Sequence, residues 1–321
     1  MMARTSACHG WPTPSYAGGC AAGLCLICWA ALGSTAGAAE SAGCRELEHR
    51  FELVRAEITA DQLSSALFSA AETGCGDLAA TLLAAGASLE ALDRLGATPL
   101  AHAARAGQRT MVALFLAQGA QVDARDISGS TALYLAAENE RQATVALLLA
   151  AGANPNLPGR FGITPLAAAA LKGNDRIVEQ TLSHHGDANI ADMNGKTAMT
   201  HAAVHGFAEI VGRLLKAGVD ARQRYGNALT ALMWAASYED DVGVSAANAV
   251  VDLLLKEGAE IDAVDDRGRT ALMMAAQLGH AEMVDRLVKR GADRNMRDRG
   301  GKNALDLAAS AGVRRALAEA Q

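Results

Sequence analysis

Thr98-Pro99-Leu100-Ala101-His102-Ala103-Ala104 decides the reading of this chain, because the pattern returns. Thr131-Ala132-Leu133, Thr164-Pro165-Leu166, Thr197-Ala198-Met199 and Thr230-Ala231-Leu232 follow at steps of 33 residues, and Thr270-Ala271-Leu272 after a step of 40. A paired alanine closes each string: Ala103-Ala104, Ala136-Ala137, Ala169-Ala170, Ala202-Ala203, Ala235-Ala236 and Ala275-Ala276. One period back stand Ser65-Ala66-Leu67 and Ala70-Ala71; one period forward stand Asn303-Ala304-Leu305 and Ala308-Ala309. Eight units therefore run from near 65, 98, 131, 164, 197, 230, 270 and 303. A fixed period of this length marks a repeat architecture rather than a set of independent cores.

Each residue type in the pattern has a physical task. Thr, or Ser65 and Asn303 at the ends, suits an N-cap whose side-chain oxygen takes an otherwise orphaned amide. Pro in the next position needs no amide partner and carries a φ already set for a first helical turn. The Leu and the alanine pair fall on one helical face, where small side chains let neighbouring helices approach. A second apolar set, such as Met111, Val112, Leu114, Phe115 and Leu116, marks an outer helix. Gly86, Gly119, Gly152, Gly218, Gly258 and Gly291 then supply the left-handed residue that ends a helix. A turn follows, with Asp and Gly at fixed offset: Asp93 and Gly96, Asp126 and Gly129, Asp192 and Gly195, Asp265 and Gly268, Asp298 and Gly301.

The period, the T-P-L-x-x-A-A string, the helix-ending Gly-Ala and the D-x-x-G turn together resemble the ankyrin repeat, over residues 65–321. The resemblance implies an all-α solenoid of helix–turn–helix units that binds another protein through a groove lined by turn tips and inner helices. Departures gather in the middle. His185 stands where Gly is expected, and the turn before Thr230 reads Tyr225-Gly226-Asn227-Ala228. Seven extra residues, around Glu239 to Ala247, are expected to form a surface loop. The last unit is expected to cap the stack with a truncated second helix over Val313–Ala320, and Arg45–Ile58 to cap the other end with Leu47, Phe51, Val54 and Ile58 on one stripe.

Residues 1–39 read differently from the rest. Arg4 is the one formally charged residue before Glu40, Cys20 to Leu32 is apolar, and Ala36-Gly37-Ala38-Ala39 follows. These features predict an export signal cut after Ala38 or Ala39, with a retained membrane anchor as the alternative. Trp11, Pro12 and Pro14 make the region before the apolar core unusually long for such a signal. Residues 40–64 are read as capping helix and linker. Cleavage would leave Cys44 and Cys75, an even pair in an oxidising compartment that could form a disulfide or stay free. A bridge would stabilise that end by about 3–4 kcal/mol on the loop-closure argument.

The net charge of −6 and pI near 5.8 argue against nucleic acid, which needs a concentrated basic surface. Hydrolase, phosphate-loop and zinc-protease motifs are absent, and Gly74-Cys75-Gly76 lacks the third Gly of a dinucleotide loop, so no enzyme or cofactor is expected. His201 and His205, with His184 and His185 one unit earlier, lack a Cys or carboxylate to complete a metal set in sequence, so no metal is expected either. Surface remains. By offset, the middle units present Phe161 and Met193 at turn tips, and Leu171, His201, Trp234, Tyr238 and Met274 on inner helices. Aromatics and Met are enriched at binding hot spots, so these seven form the expected groove of a monomeric protein-binding module. For Trp234 and Met274 the competing reading is packing between units beside Met233 and Met273.

Overall fold

A computed structural model of the chain describes residues 42–55, 57–239 and 242–319. The expected export signal lies outside the described residues, as do Asp240 and Asp241 of the insertion. A first helix, α1 (Ala42–Val54), precedes paired helices: α2 (Ala60–Thr73) with α3 (Gly76–Ala84), α4 (Pro99–Ala106) with α5 (Arg109–Ala117), and α6 (Ala132–Glu138) with α7 (Gln142–Ala150). The pairing continues with α8 (Pro165–Lys172) and α9 (Asp175–Ser183), then α10 (Ala198–Val204) and α11 (Ala208–Lys216). It ends with α12 (Ala231–Ala236) and α13 (Val244–Lys256), α14 (Ala271–Leu278) and α15 (Ala281–Lys289), and a last helix α16 (Ala311–Glu319). The fold is an all-α repeat solenoid.

Inner helices stack on inner helices, outer on outer, and each inner helix packs on its own outer partner. The alanine pairs from Ala70-Ala71 through Ala275-Ala276 are fully buried at those inner seams, beneath Leu67, Leu133, Leu166 and Met199. Thr98, Thr131, Thr164, Thr230 and Thr270 each accept the amide of the third residue on, at 3.1–3.3 Å. Thr197 differs: the hydroxyl of Thr200 accepts its amide at 2.8 Å instead. His185 adopts the left-handed φ of 66° that glycine supplies in the other units.

Several element ends differ from the sequence reading. The first inner helix starts at Thr59, which shares a reciprocal capping box with Gln62, so Ser65 is mid-helix and exposed. A short turn closed by Glu57 N to Val54 O, rather than an Asp–Gly finger, precedes α2, which runs back to Ala60. That cap helix spans Ala42–Val54 rather than Arg45–Ile58; Phe51 is buried, but Val54 is 46% exposed and Ile58 lies beyond the helix. Cys44 and Cys75 are joined by a disulfide, Cα to Cα 5.4 Å, which ties α1 to the N-terminus of α3. The insertion is not wholly a loop. It lengthens α13 to 13 residues and buries Ala247, because Val242 and Ala246 close over Gly206 of the preceding unit. At the far end the shortened element is the inner one. Asn303 and Asp306 cap each other at 2.9 and 3.0 Å but only a turn follows, whereas α16 has the nine residues of an ordinary outer helix. Helices this short persist through packing rather than propensity, and Leu305 is 46% exposed.

Candidate partner-binding groove

The turns between units are built like fingers, and one carboxylate organises each regular one. Asp93 Oδ1 accepts the amides of Leu95 and Ala97 at 2.7 and 2.8 Å; Asp192 and Asp265 do the same for Asn194 and Lys196, and for Arg267 and Arg269. The second oxygen reaches the inner helix or its edge: Asp93 to His102 Nε2 at 2.9 Å, Asp192 to His201 Nε2 at 3.1 Å, Asp265 to the Arg269 guanidinium at 2.8 Å. Glu72 meets the other ring nitrogen of His102 at 2.8 Å, and that hydrogen bond, more than Arg105, holds the Glu72 carboxyl below its ordinary value. Burial pushes the His201 imidazole below its ordinary value, against the pull of Asp192.

Fingers are joined to one another through backbone at their tips. Ile127 donates its amide to Leu95 O at 2.9 Å, Met193 to Phe161 O at 2.9 Å, and Arg299 to Arg267 O at 2.8 Å. At Gly159, in one of the two fingers that lack Asp, the absent side chain makes room for Tyr134: a Cβ on residue 159 would run into its ring. That finger turns through Phe161 at φ 56° and Gly162 at φ 77°. A bulky non-glycine residue in the left-handed region is rare and costs of order 1–3 kcal/mol. Phe161 nonetheless stands 58% exposed, with the Arg160 guanidinium 4.9 Å from its ring centre.

The seven expected groove residues do not share one environment. Phe161 and Met193 are exposed neighbours on adjacent tips, Met193 at 79%. Leu171, Trp234 and Tyr238 are half-buried. His201 and Met274 are buried, at 5 and 6% exposure, His201 on Asp192 and Met274 against Ser237. Tyr238 stacks on His280 of the next unit, ring centres 4.0 Å apart. His205 turns toward Phe207, 5.9 Å between ring centres, away from the His201–Asp192 contact. Among the described residues no group of three or more His, Cys, Asp and Glu side chains is arranged to hold a metal, and no helix is long and apolar enough to cross a membrane.

Two contributors escaped the sequence reading. Ile127, 75% exposed, extends the apolar tips of Leu95, Phe161 and Met193, although its place in the second finger was visible from its offset. Lys196 lies with its ammonium 4.8 Å from the centre of the Trp234 ring, a contact between units that no periodicity announces.

The fold is that of a class of helical repeat proteins that typically serve as binding scaffolds. The family model for ankyrin repeats (three copies) matches residues 67–159, 143–225, 166–245 and 242–319. The chain belongs to the ankyrin-repeat family, and its repeats imply a protein–protein interaction module. No curated protein matches the chain.

Proposed function

We propose that this chain is a non-enzymatic, monomeric protein-binding module whose partner lies along the fingers and inner-helix edges of the units from Thr164 to Thr270. Phe161 carries the reading. A strained, exposed aromatic at a finger tip makes no sense as a folding device, because glycine would hold the same turn without the left-handed steric penalty and without exposed apolar surface. Strain of this kind is kept where the side chain itself is used. Met193, Ile127 and Leu95 continue the apolar edge on neighbouring tips, the aromatic-and-Met chemistry that supplies hot spots. Phe161→Gly is the test: affinity capture of the partner is expected to fall at least tenfold, by about 1.4 kcal/mol or more, while the melting temperature holds or rises. Undiminished capture by that variant would sink the reading.

The same proposal places the module in an exported compartment, periplasmic or secreted. The apolar, nearly charge-free stretch before Glu40 and a disulfide between Cys44 and Cys75 support it. Intact-mass measurement on protein from the native host is expected to find the chain starting after Ala38 or Ala39. A mass that includes the leader would make the module a membrane-tethered scaffold instead.

A further inference from the structure

Two cavities open side by side where the last full units meet. One, of about 300 Å³, is walled by Leu229, Trp234, Met274 and Leu278. The other, of about 420 Å³, lies between the last two fingers and is edged by Arg267, Arg299 and Lys302. Arg269 and Gln277 line both, and with their side chains in contact at 3.5 Å they stand between the two halves of a double cleft. Its two halves differ in chemistry. The first is walled mainly by apolar side chains, together with Ser237. The second faces four cations against two carboxylates, Asp266 and Asp298, in a chain whose net charge is −6. Asp298 is engaged by the amides of Gly300 and Lys302, and Arg269 by Asp265. Among the described residues, no carboxylate pairs with Arg267, Arg299 or Lys302, and all three are exposed.

We propose that this double cleft binds an extended acidic segment of the partner protein, with one large apolar side chain seated between Trp234 and Met274 and the neighbouring carboxylates set against Arg267, Arg299 and Lys302. The assignment rests on the groove reading above and gives its partner a chemistry. The exposed apolar tip residues (Leu95, Ile127, Phe161, Met193) stand in the earlier units, where Arg94 and Arg160 accompany them, and the later tips carry Arg267 and Arg299 without large apolar neighbours, so one ligand running along them meets apolar contacts first and charge afterwards. Opposite charge at the rim speeds encounter and sets register, while the buried apolar anchor supplies most of the affinity.

The experiment is an unbiased phage-displayed peptide library panned on the full chain, with the enriched peptides then synthesised and titrated by fluorescence anisotropy. Enriched peptides are expected to carry acids beside one Leu, Phe or Trp. Their affinity is expected to drop about tenfold in the double variant Arg299→Glu/Lys302→Glu, two exposed attractions turned into repulsions, and to fall as salt rises. Trp234→Ala should abolish binding, and circular dichroism of each variant checks that the stack is intact. Neutral or basic enriched peptides, peptides indifferent to the charge reversals, or a library with no Trp234-dependent binder would each overturn the proposal. Any of these alongside Phe161-dependent partner capture would leave the groove function standing and remove only the acidic ligand; loss of the Phe161 dependence would remove the groove itself.

Discussion

His201 and Asp192 stand nine residues apart in the chain and 3.1 Å apart in space, and the consequence of that pairing is one of acid sensitivity. The imidazole is almost fully buried, its Nε2 donating to the carboxylate while Nδ1 has no partner, so protonation of that second nitrogen would place a charge where no acceptor waits. Burial lowers the folded pKa, whereas the unfolded chain titrates near ~6.5. The unfolded state therefore binds the proton first. Stability is full above that value and is lost as pH falls from it toward the folded pKa, with a slope approaching about 1.4 kcal/mol per pH unit. His201→Gln keeps a donor for Asp192 and removes the titration, so urea denaturation from pH 7.5 to 5 (roughly the span that brackets the unfolded value) should show a flatter profile for the variant. Parallel profiles would mean that His201 does not set this sensitivity. His201 itself was visible in the sequence as a groove position. Its burial was not, since that depends on a finger folding over it from the turn before.

Among the elements, repeats were the easiest to read and ends the hardest. The Thr caps, the helix-ending glycines and the Asp turns are local devices, each satisfied within a few residues, and the spacing of the string was enough to find them. Ser65, the cap helix, the insertion and the last unit misled because their boundaries depend on what packs next to them. α2 lengthens where no finger precedes it, and α13 lengthens where Val242 and Ala246 close on Gly206. The inner part of the last unit is a single turn, closed by the reciprocal Asn303–Asp306 caps. α1 is tied to α3 by the Cys44–Cys75 bridge across 31 residues, beside the packing of Phe51. Reduction is expected to cost that end about 3–4 kcal/mol. Hydrogen exchange in Ala42–Val54 should then rise sharply under reductant, while amides of α8 to α11 stay protected. A uniform response along the chain would contradict this local role.

At the scale of the whole molecule, the described units pack chiefly on their neighbours in the stack, so stability is a sum of unit and seam contributions along one direction. Position along the stack should decide what a core deletion does. Leu166, fully buried in a middle unit, has seams on both sides; Leu166→Ala is expected to lower the main urea transition by about 2–5 kcal/mol. Val313, as completely buried in α16, has a seam on one side only. Val313→Ala should loosen α16, seen by hydrogen exchange, with little movement of the main transition. Equal shifts for the two would show the array unfolding as a single block.

The sequence by itself determined the architecture, because nearly every unit repeats a polar N-cap, a small-residue inner seam and a left-handed residue after its outer helix, and 33-residue spacing leaves those seams no other way to be buried than by stacking. Tertiary structure alone decided which surface residues can be used. Two side chains at the same offset, His201 and Trp234, end buried and half-exposed respectively, since exposure depends on the finger from one unit and the helix from the next. Phe161 gains its weight in the same way: only the space taken by the Tyr134 ring beside Gly159, together with the left-handed turn beyond it, sets that aromatic out at the tip.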